Sequence, residues 1–182
     1  QANIIAVSDS KWWIYHESWL DVNKILDLKK AKKSLNEYLP TITKITNKDL
    51  LEIETDILIP SALENQITIE NADNIKAKYI LELANWPTTK DADEILNKKW
   101  IIVIPDVLAN AWGVMVSYFE QVQNNSNYYW SLEEVNTKLY EKITKSSKRV
   151  YEISKDKNTS LRAWAYYIAL KRILDAMKDR WE

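Results

Sequence analysis

Most side chains in this sequence that could bind or react lie just past short apolar runs. Asn85 follows Tyr79–Leu83, and Asn110 follows Ile101–Ile104 by way of Pro105 and Asp106. An amide both donates and accepts hydrogen bonds, so two of them at neighbouring strand ends suit a carboxamide or a ribose. Ser61 and Ala62 follow a third run, Asp56–Pro60, and Ser8-Asp9-Ser10 closes a fourth, Asn3–Val7. An acidic group past a strand can take ribose hydroxyls, but Asp in that place is also ordinary turn chemistry. Small and polar groups past the carboxyl ends of parallel strands form the ligand edge of an open α/β sheet. Gly113 is the only glycine in the 182 residues. Its place at a strand-to-helix passage predicts a close backbone approach or φ > 0; the alternative is a packed helix in which the glycine is incidental.

Other chemistries find little support. His16, the one histidine, sits in Tyr15-His16-Glu17 with no Ser or Cys nucleophile evidently paired with it, and reads as surface loop. Without cysteine there is no disulfide, and a zinc site of the His/Cys type is out of reach, so no metal is expected. The 25 basic and 26 acidic residues leave a net charge of −1. That balance gives no electrostatic case for nucleic acid or an anionic membrane. No apolar run approaches the roughly 18 residues of a membrane span. Gln1-Ala2-Asn3 has no basic character, so no signal peptide is expected; a cytoplasmic location fits.

Glycine normally makes up about 7% of a chain, or about a dozen residues at this length. Tryptophan, usually rare, occurs nine times. Several of those sit where turns should be, as in Asn85-Trp86-Pro87 and Lys99-Trp100-Ile101. Trp does not readily supply φ > 0.

The elements that must position the amides follow from periodicity. The runs at Asn3–Val7, Asp56–Pro60, Tyr79–Leu83 and Ile101–Ile104 predict four adjacent strands of a parallel sheet, buried on both faces. A surface helix is predicted over Asp21–Lys33, capped by Asp21, with short helical turns at Thr46–Leu51 and Asn71–Lys76. Thr88 or Thr89 caps a helix through Lys98. After Asp106 the pattern is helical only: one helix to about Asn124, one from Ser131 to about Lys157, and one from Ser160 to about Arg180. The last carries Ala163, Tyr167, Leu170, Ile173, Leu174 and Met177 on one stripe. The fold class is α/β, with a Rossmann-like parallel sheet followed by an all-helical C-terminal segment. The expected division is 1–125 and 126–182.

Five stretches then resemble glutamate dehydrogenases of the archaeal and bacterial hexameric type. They are A-V-S-D-S-K at Ala6, D-I-L-I-P-S-A-L-E-N-Q-I at Asp56, A-N-W-P-T-T at Ala84, P-D-V-L-A-N-A-W-G-V-M-V-S-Y-F-E at Pro105, and S-L-R-A-W-A-Y-Y-I-A-L-K-R-I at Ser160. The resemblance spans essentially the whole chain. It implies the dinucleotide-binding domain plus C-terminal helices of an enzyme that deaminates L-glutamate to 2-oxoglutarate and ammonia with NAD or NADP. Asp9 and Ser10 would then meet the adenosine ribose, and Ser61 and Ala62 would line the dinucleotide cleft. Asn85 would meet the nicotinamide-side ribose, and Asn110 the carboxamide. Val114 and Ser117 would face glutamate, and their spacing of three puts them on one helix face. A homo-hexamer is implied for the full-length parent.

Two departures qualify the carry-over. The family's first strand, its GxGxxG turn and the helix that follows are missing, as is the substrate domain with the catalytic lysine and aspartate. No catalytic residue is therefore assigned here, and the segment alone is expected to be inactive. Trp also stands at family glycine positions 12, 13, 19, 86, 100, 112 and 181, and Leu83 at another. The second reading is thus a non-catalytic scaffold, or an altered derivative, that keeps the fold and has lost the chemistry. A flavodoxin-like protein fits less well, because such chains do not end in three long helices.

Overall fold

The computed structural model describes residues 2–38 and 42–180. The chain forms two compact units: 1–54 with 74–76, and 55–73 with 77–182.

The first unit is built on an antiparallel sheet. β1 (Ala6–Ser8) pairs with β2 (Trp13–Tyr15), with Val7 opposite Ile14, and β2 pairs with β3 (Thr43–Lys44). The first apolar run is therefore not a parallel strand, which corrects the expectation of four adjacent ones. The turn explains the reversal. The Asp9 N–H donates to the Trp12 carbonyl at 2.9 Å, and the Asp9 carboxylate accepts from the Lys11 and Trp12 amides. α1 (Val22–Lys30) is capped by Asp21, which accepts from the Asn23 and Lys24 amides. α2 (Asn47–Leu51) starts with a reciprocal cap between Thr46 and Asp49. Ile14, Leu20, Ile25, Leu35 and Tyr38 make the core.

The second unit carries the parallel sheet, in the order β4 (Ile57–Leu58), β5 (Tyr79–Leu81), β6 (Ile102–Ile104). Leu58 pairs with Ile80, and Ile80 with Val103, so the three carboxyl ends share one edge. A single helical turn, Ala72–Asn74, lies between β4 and β5 in sequence. α3 (Lys90–Lys98), capped by Thr89, links β5 to β6 and buries Ala92 and Leu96. The expected helix after Asp106 is two: α4 (Asp106–Ala109) and α5 (Ala111–Ser126), broken at Asn110. α6 (Leu132–Lys157) and α7 (Leu161–Lys178) follow, capped by Ser131 and Ser160. Val150, Ala165 and Ile168 form the helical core, joined by Leu108 and Trp164. The stripe predicted on α7 is not its buried side: Tyr167, Leu170, Ile173, Leu174 and Met177 are all more than half exposed. The period of 3.6 identifies a helix and its apolar face, but not whether anything covers that face.

Backbone conformation explains part of the glycine anomaly. Among the described residues, six other than glycine have positive φ: Lys32, Asn65, Trp86, Trp100, Asn127 and Asn158. Four of them close helices with a left-handed cap. At α3, the Trp100 amide donates to the Asn97 carbonyl and the Ile101 amide to that of Leu96, both at 3.0 Å. Lys32, Asn127 and Asn158 close α1, α5 and α6 with the same pair of bonds. Asn takes this conformation at modest cost and Trp does not. Of the described positions where family glycine is replaced, only 86 and 100 lie in the left-handed region, at φ 53° and 62°. Position 181 lies outside the described residues. Gly113 sits within α5 without positive φ, and a Cβ there would meet nothing within 4 Å. The expectation of φ > 0 at that position is corrected, and no protein atom approaches its Cα face closely.

Trp100 is 82% exposed, so removing its side chain loses little packing. Trp100→Gly should stabilise the protein by about 1 kcal/mol, the left-handed penalty less the entropy of a new glycine. Urea unfolding checks this; unchanged or lower stability would mean that the cap is not strained.

Candidate functional site

The carboxyl edge of the parallel sheet is tied together by backbone bonds. The Pro60 carbonyl accepts from the Leu83 and Ala84 amides at 3.0 Å each, joining the end of β4 to that of β5. The Glu82 amide donates to the Ile104 carbonyl at 3.1 Å, joining β5 to β6. On this edge two of the predicted residues meet. Asn110 Nδ2 donates to Asn85 Oδ1 at 2.7 Å and to the Leu83 carbonyl at 3.4 Å. Asn85 Nδ2 and Asn110 Oδ1 take no further protein partner among the described residues. One donor and one acceptor side by side complement a carboxamide, which offers one of each.

Ser61 and Ala62 are exposed past β4, with Ser61 Oγ donating to the Ile59 carbonyl at 3.1 Å. Val114 is 76% exposed, and Ser117 Oγ donates to the Gly113 carbonyl at 3.2 Å, one turn back in α5. Val114 also borders an open hollow of about 580 Å³ together with Tyr118, Phe119, Lys142, Lys145 and Arg172. Trp86 is half exposed, and its ring stacks on Tyr166 of α7 at 6.3 Å.

Behind the amides lies a buried charged cluster. Arg162 Nη2 contacts Glu82 Oε1 at 2.6 Å and Asp93 Oδ1 at 3.2 Å, and Nη1 contacts Asp106 Oδ1 at 3.4 Å. Glu82 is fully buried, and Asp93 and Asp106 nearly so. Glu82 Oε2 accepts from the Asp106 amide at 2.9 Å, and Asp106 Oδ2 from the Trp86 amide at 2.8 Å. Burial works against the guanidinium's charge, but the hydrogen bond it donates to Glu82 and the charge of Asp93 outweigh it and raise the Arg162 pKa. Burial and the nearby Asp106 raise the Tyr166 hydroxyl.

Sequence reasoning marked Asp106 and missed Glu82, Asp93 and Arg162. Two signals could have found Glu82 and Arg162. Glu82 is a charge inside the run Y-I-L-E-L, where both faces are buried. Arg162 is a cation in the first turn of α7, where the helix dipole disfavours it by about 0.3–1 kcal/mol unless anions lie nearby.

In the first unit, Asp9 shows its turn chemistry and an ion pair, its Oδ2 lying 2.7 Å from Lys29 Nζ. Ser10 beside it is exposed. His16 Nδ1 lies 3.0 Å from Ser18 Oγ, a local loop contact between neighbours.

Fold and site define an α/β protein with a ligand-type edge on a short parallel sheet. The family model for glutamate/leucine/phenylalanine/valine dehydrogenases matches residues 1–180, and the chain belongs to that family. An NADP-specific glutamate dehydrogenase of Synechocystis is 44% identical over 96% of this chain and 42% of its own length. An NAD-specific glutamate dehydrogenase of Staphylococcus aureus is 43% identical over 98% of this chain and 43% of its own. Among solved structures, a hetero-hexameric glutamate dehydrogenase from Thermus thermophilus in its Leu-bound form aligns with a TM-score of 0.87. It is 27% identical over 98% of this chain and 42% of that one. The glutamate dehydrogenase of Peptoniphilus asaccharolyticus aligns at 0.76 and 36% identity, over 98% and 40%. The chain thus spans about two-fifths of the length of the relatives it matches. No helix among the described residues is long and apolar enough to cross a membrane.

The Lys29 ammonium, with the Lys11 and Trp12 amides, holds the Asp9 carboxyl below the usual carboxylate range. A folded value below the unfolded one stabilises the fold above about pH 4. That stability is lost as pH falls through the folded value. Lys29→Ala should raise the Asp9 pKa, read by carbon NMR titration of the carboxyl; an unmoved titration would remove Lys29 as the cause.

Proposed function

We propose that these residues form the cofactor-binding portion of an NAD- or NADP-dependent glutamate dehydrogenase, which deaminates L-glutamate to 2-oxoglutarate and ammonia. The observation that carries this reading is the Asn85–Asn110 pair on the sheet edge. In this reading Asn110 takes the nicotinamide carboxamide and Asn85 the adjoining ribose. Ser61 and Ala62 border the dinucleotide. Val114 and Ser117 face the glutamate side chain from α5. The nicotinamide, when bound, supplies the hydride acceptor. The residues named here bind and orient, and none is assigned a proton-transfer step. Catalysis belongs to the whole enzyme, in a cytoplasmic homo-hexamer, and the segment alone is inactive.

A scaffold reading has one observation in its favour: Trp86 and Trp112 flank the amide pair in sequence and are each more than half exposed. Tryptophan fluorescence separates the two. Quenching by NADH or NADPH at micromolar concentration supports a working cleft, while no response at millimolar concentration supports the scaffold.

Two variants sharpen the test. Asn110→Ala should weaken nicotinamide binding by about 1–3 kcal/mol, the cost of a polar partner left unpaired; equal binding would remove Asn110 from the site. Trp86→Gly with Trp112→Gly should bind more tightly, and unchanged affinity would clear the indoles of obstruction.

A further inference from the structure

We infer that Arg162 is a positioning residue. From the first turn of α7 it gathers Glu82, Asp93 and Asp106, and through Asp106 it sets the geometry of the Asn85–Asn110 pair. The ligand consequence rests on the nicotinamide reading above; the geometric consequence does not.

The connections run through Asp106. Its Oδ1 faces Arg162 Nη1 at 3.4 Å, and its Oδ2 accepts the Trp86 amide at 2.8 Å, which pins the peptide that follows Asn85. Its carbonyl accepts the Asn110 amide at 2.9 Å, the bond that closes the short helix α4. One residue therefore holds the backbone of both amides, one on each side. Asp106 is itself fixed at its own amide by Glu82 Oε2, and Glu82 Oε1 is held by Arg162 at 2.6 Å. The guanidinium thus reaches Asp106 directly and again through Glu82.

The chemistry requires a fork. Three carboxylates crowd a buried space and one side chain supplies the cation. The Trp86, Val107 and Asp106 amides supply further donors to Asp106 and Glu82. An ammonium concentrates its three donors on one nitrogen, whereas a planar guanidinium spreads five over a fork whose two terminal nitrogens here meet different carboxylates. Without the fork the carboxylates repel one another, and the one free to shift carries the Trp86 peptide and the start of α4 with it.

The test compares Arg162→Lys, Asp106→Asn and a surface control, Arg180→Gln, each in the full chain. Circular dichroism reports folding. The side-chain amide resonances of Asn85 and Asn110 report the pair, and NADH titration reports affinity. In Arg162→Lys both amide resonances should move towards those of the singly substituted Asn85→Ala and Asn110→Ala chains, with helix content retained. NADH affinity should fall at least tenfold, and the Arg180→Gln chain should match the parent in both. If Arg162→Lys does not fold, Asp106→Asn carries the test, because it preserves shape and breaks the same link. Unmoved amide resonances in a folded Arg162→Lys or Asp106→Asn chain would overturn the proposal, as would equal movement in Arg180→Gln. If the parent chain ignores NADH while the resonances move as stated, the nicotinamide reading fails and the positioning role stands.

Discussion

A single guanidinium holds together parts of the second unit that are far apart in sequence. Arg162 lies 80 residues from Glu82, 69 from Asp93 and 56 from Asp106, yet touches all three. Moving such charges out of water costs several kcal/mol per ion, and their attraction repays it only when geometry is good and the remaining lone pairs are satisfied. Here the remaining acceptors on Glu82 and Asp106 are met by backbone amides. The cluster is poor evidence of extra stability, since apolar residues of the same shape often serve as well. It is better evidence of specification. Its members come from the end of β5, from α3, from α4 and from α7, so the contacts tie four elements to one another.

The strand-end edge beside that cluster is ordered first by its own backbone. Carbonyls and amides at the ends of β4, β5 and β6 are cross-linked by backbone bonds, so the edge is stiff before any side chain acts. Asn85 and Asn110 are then paired with each other, which leaves one donor and one acceptor beside a fixed backbone. Groups preordered in this way spend less binding energy on ordering themselves when they meet a ligand. The Trp86 ring on Tyr166 adds a second link from the edge to α7.

Much of this fold is legible in the sequence. The helices and their caps follow from Asp21, Thr46, Thr89, Ser131 and Ser160, because a side-chain oxygen before an apolar period is a local signal. The three parallel strands follow from short apolar runs. The first run misleads because four apolar residues do not say which way their partner runs; that depended on the turn at Asp9. The apolar stripe of α7 is correct as a helix face and silent about what lies over it. The amide pair was legible because both residues sit at strand ends. The cluster behind it was not, because charge pairing between residues 56 to 80 positions apart leaves no periodic trace.

The left-handed caps carry a consequence beyond the folded form. Placing Lys, Asn and Trp where glycine would relax costs the native chain energy at six described positions, four of them these caps. Each of those residues, however, explores far fewer backbone states than glycine when the chain is unfolded. With one glycine in 182 residues, the denatured ensemble is unusually stiff and gives up less entropy on folding. Native strain and denatured-state stiffness thus oppose each other at the same sites, and the tolerance of bulky caps is decided as much by the disordered chain as by the folded one.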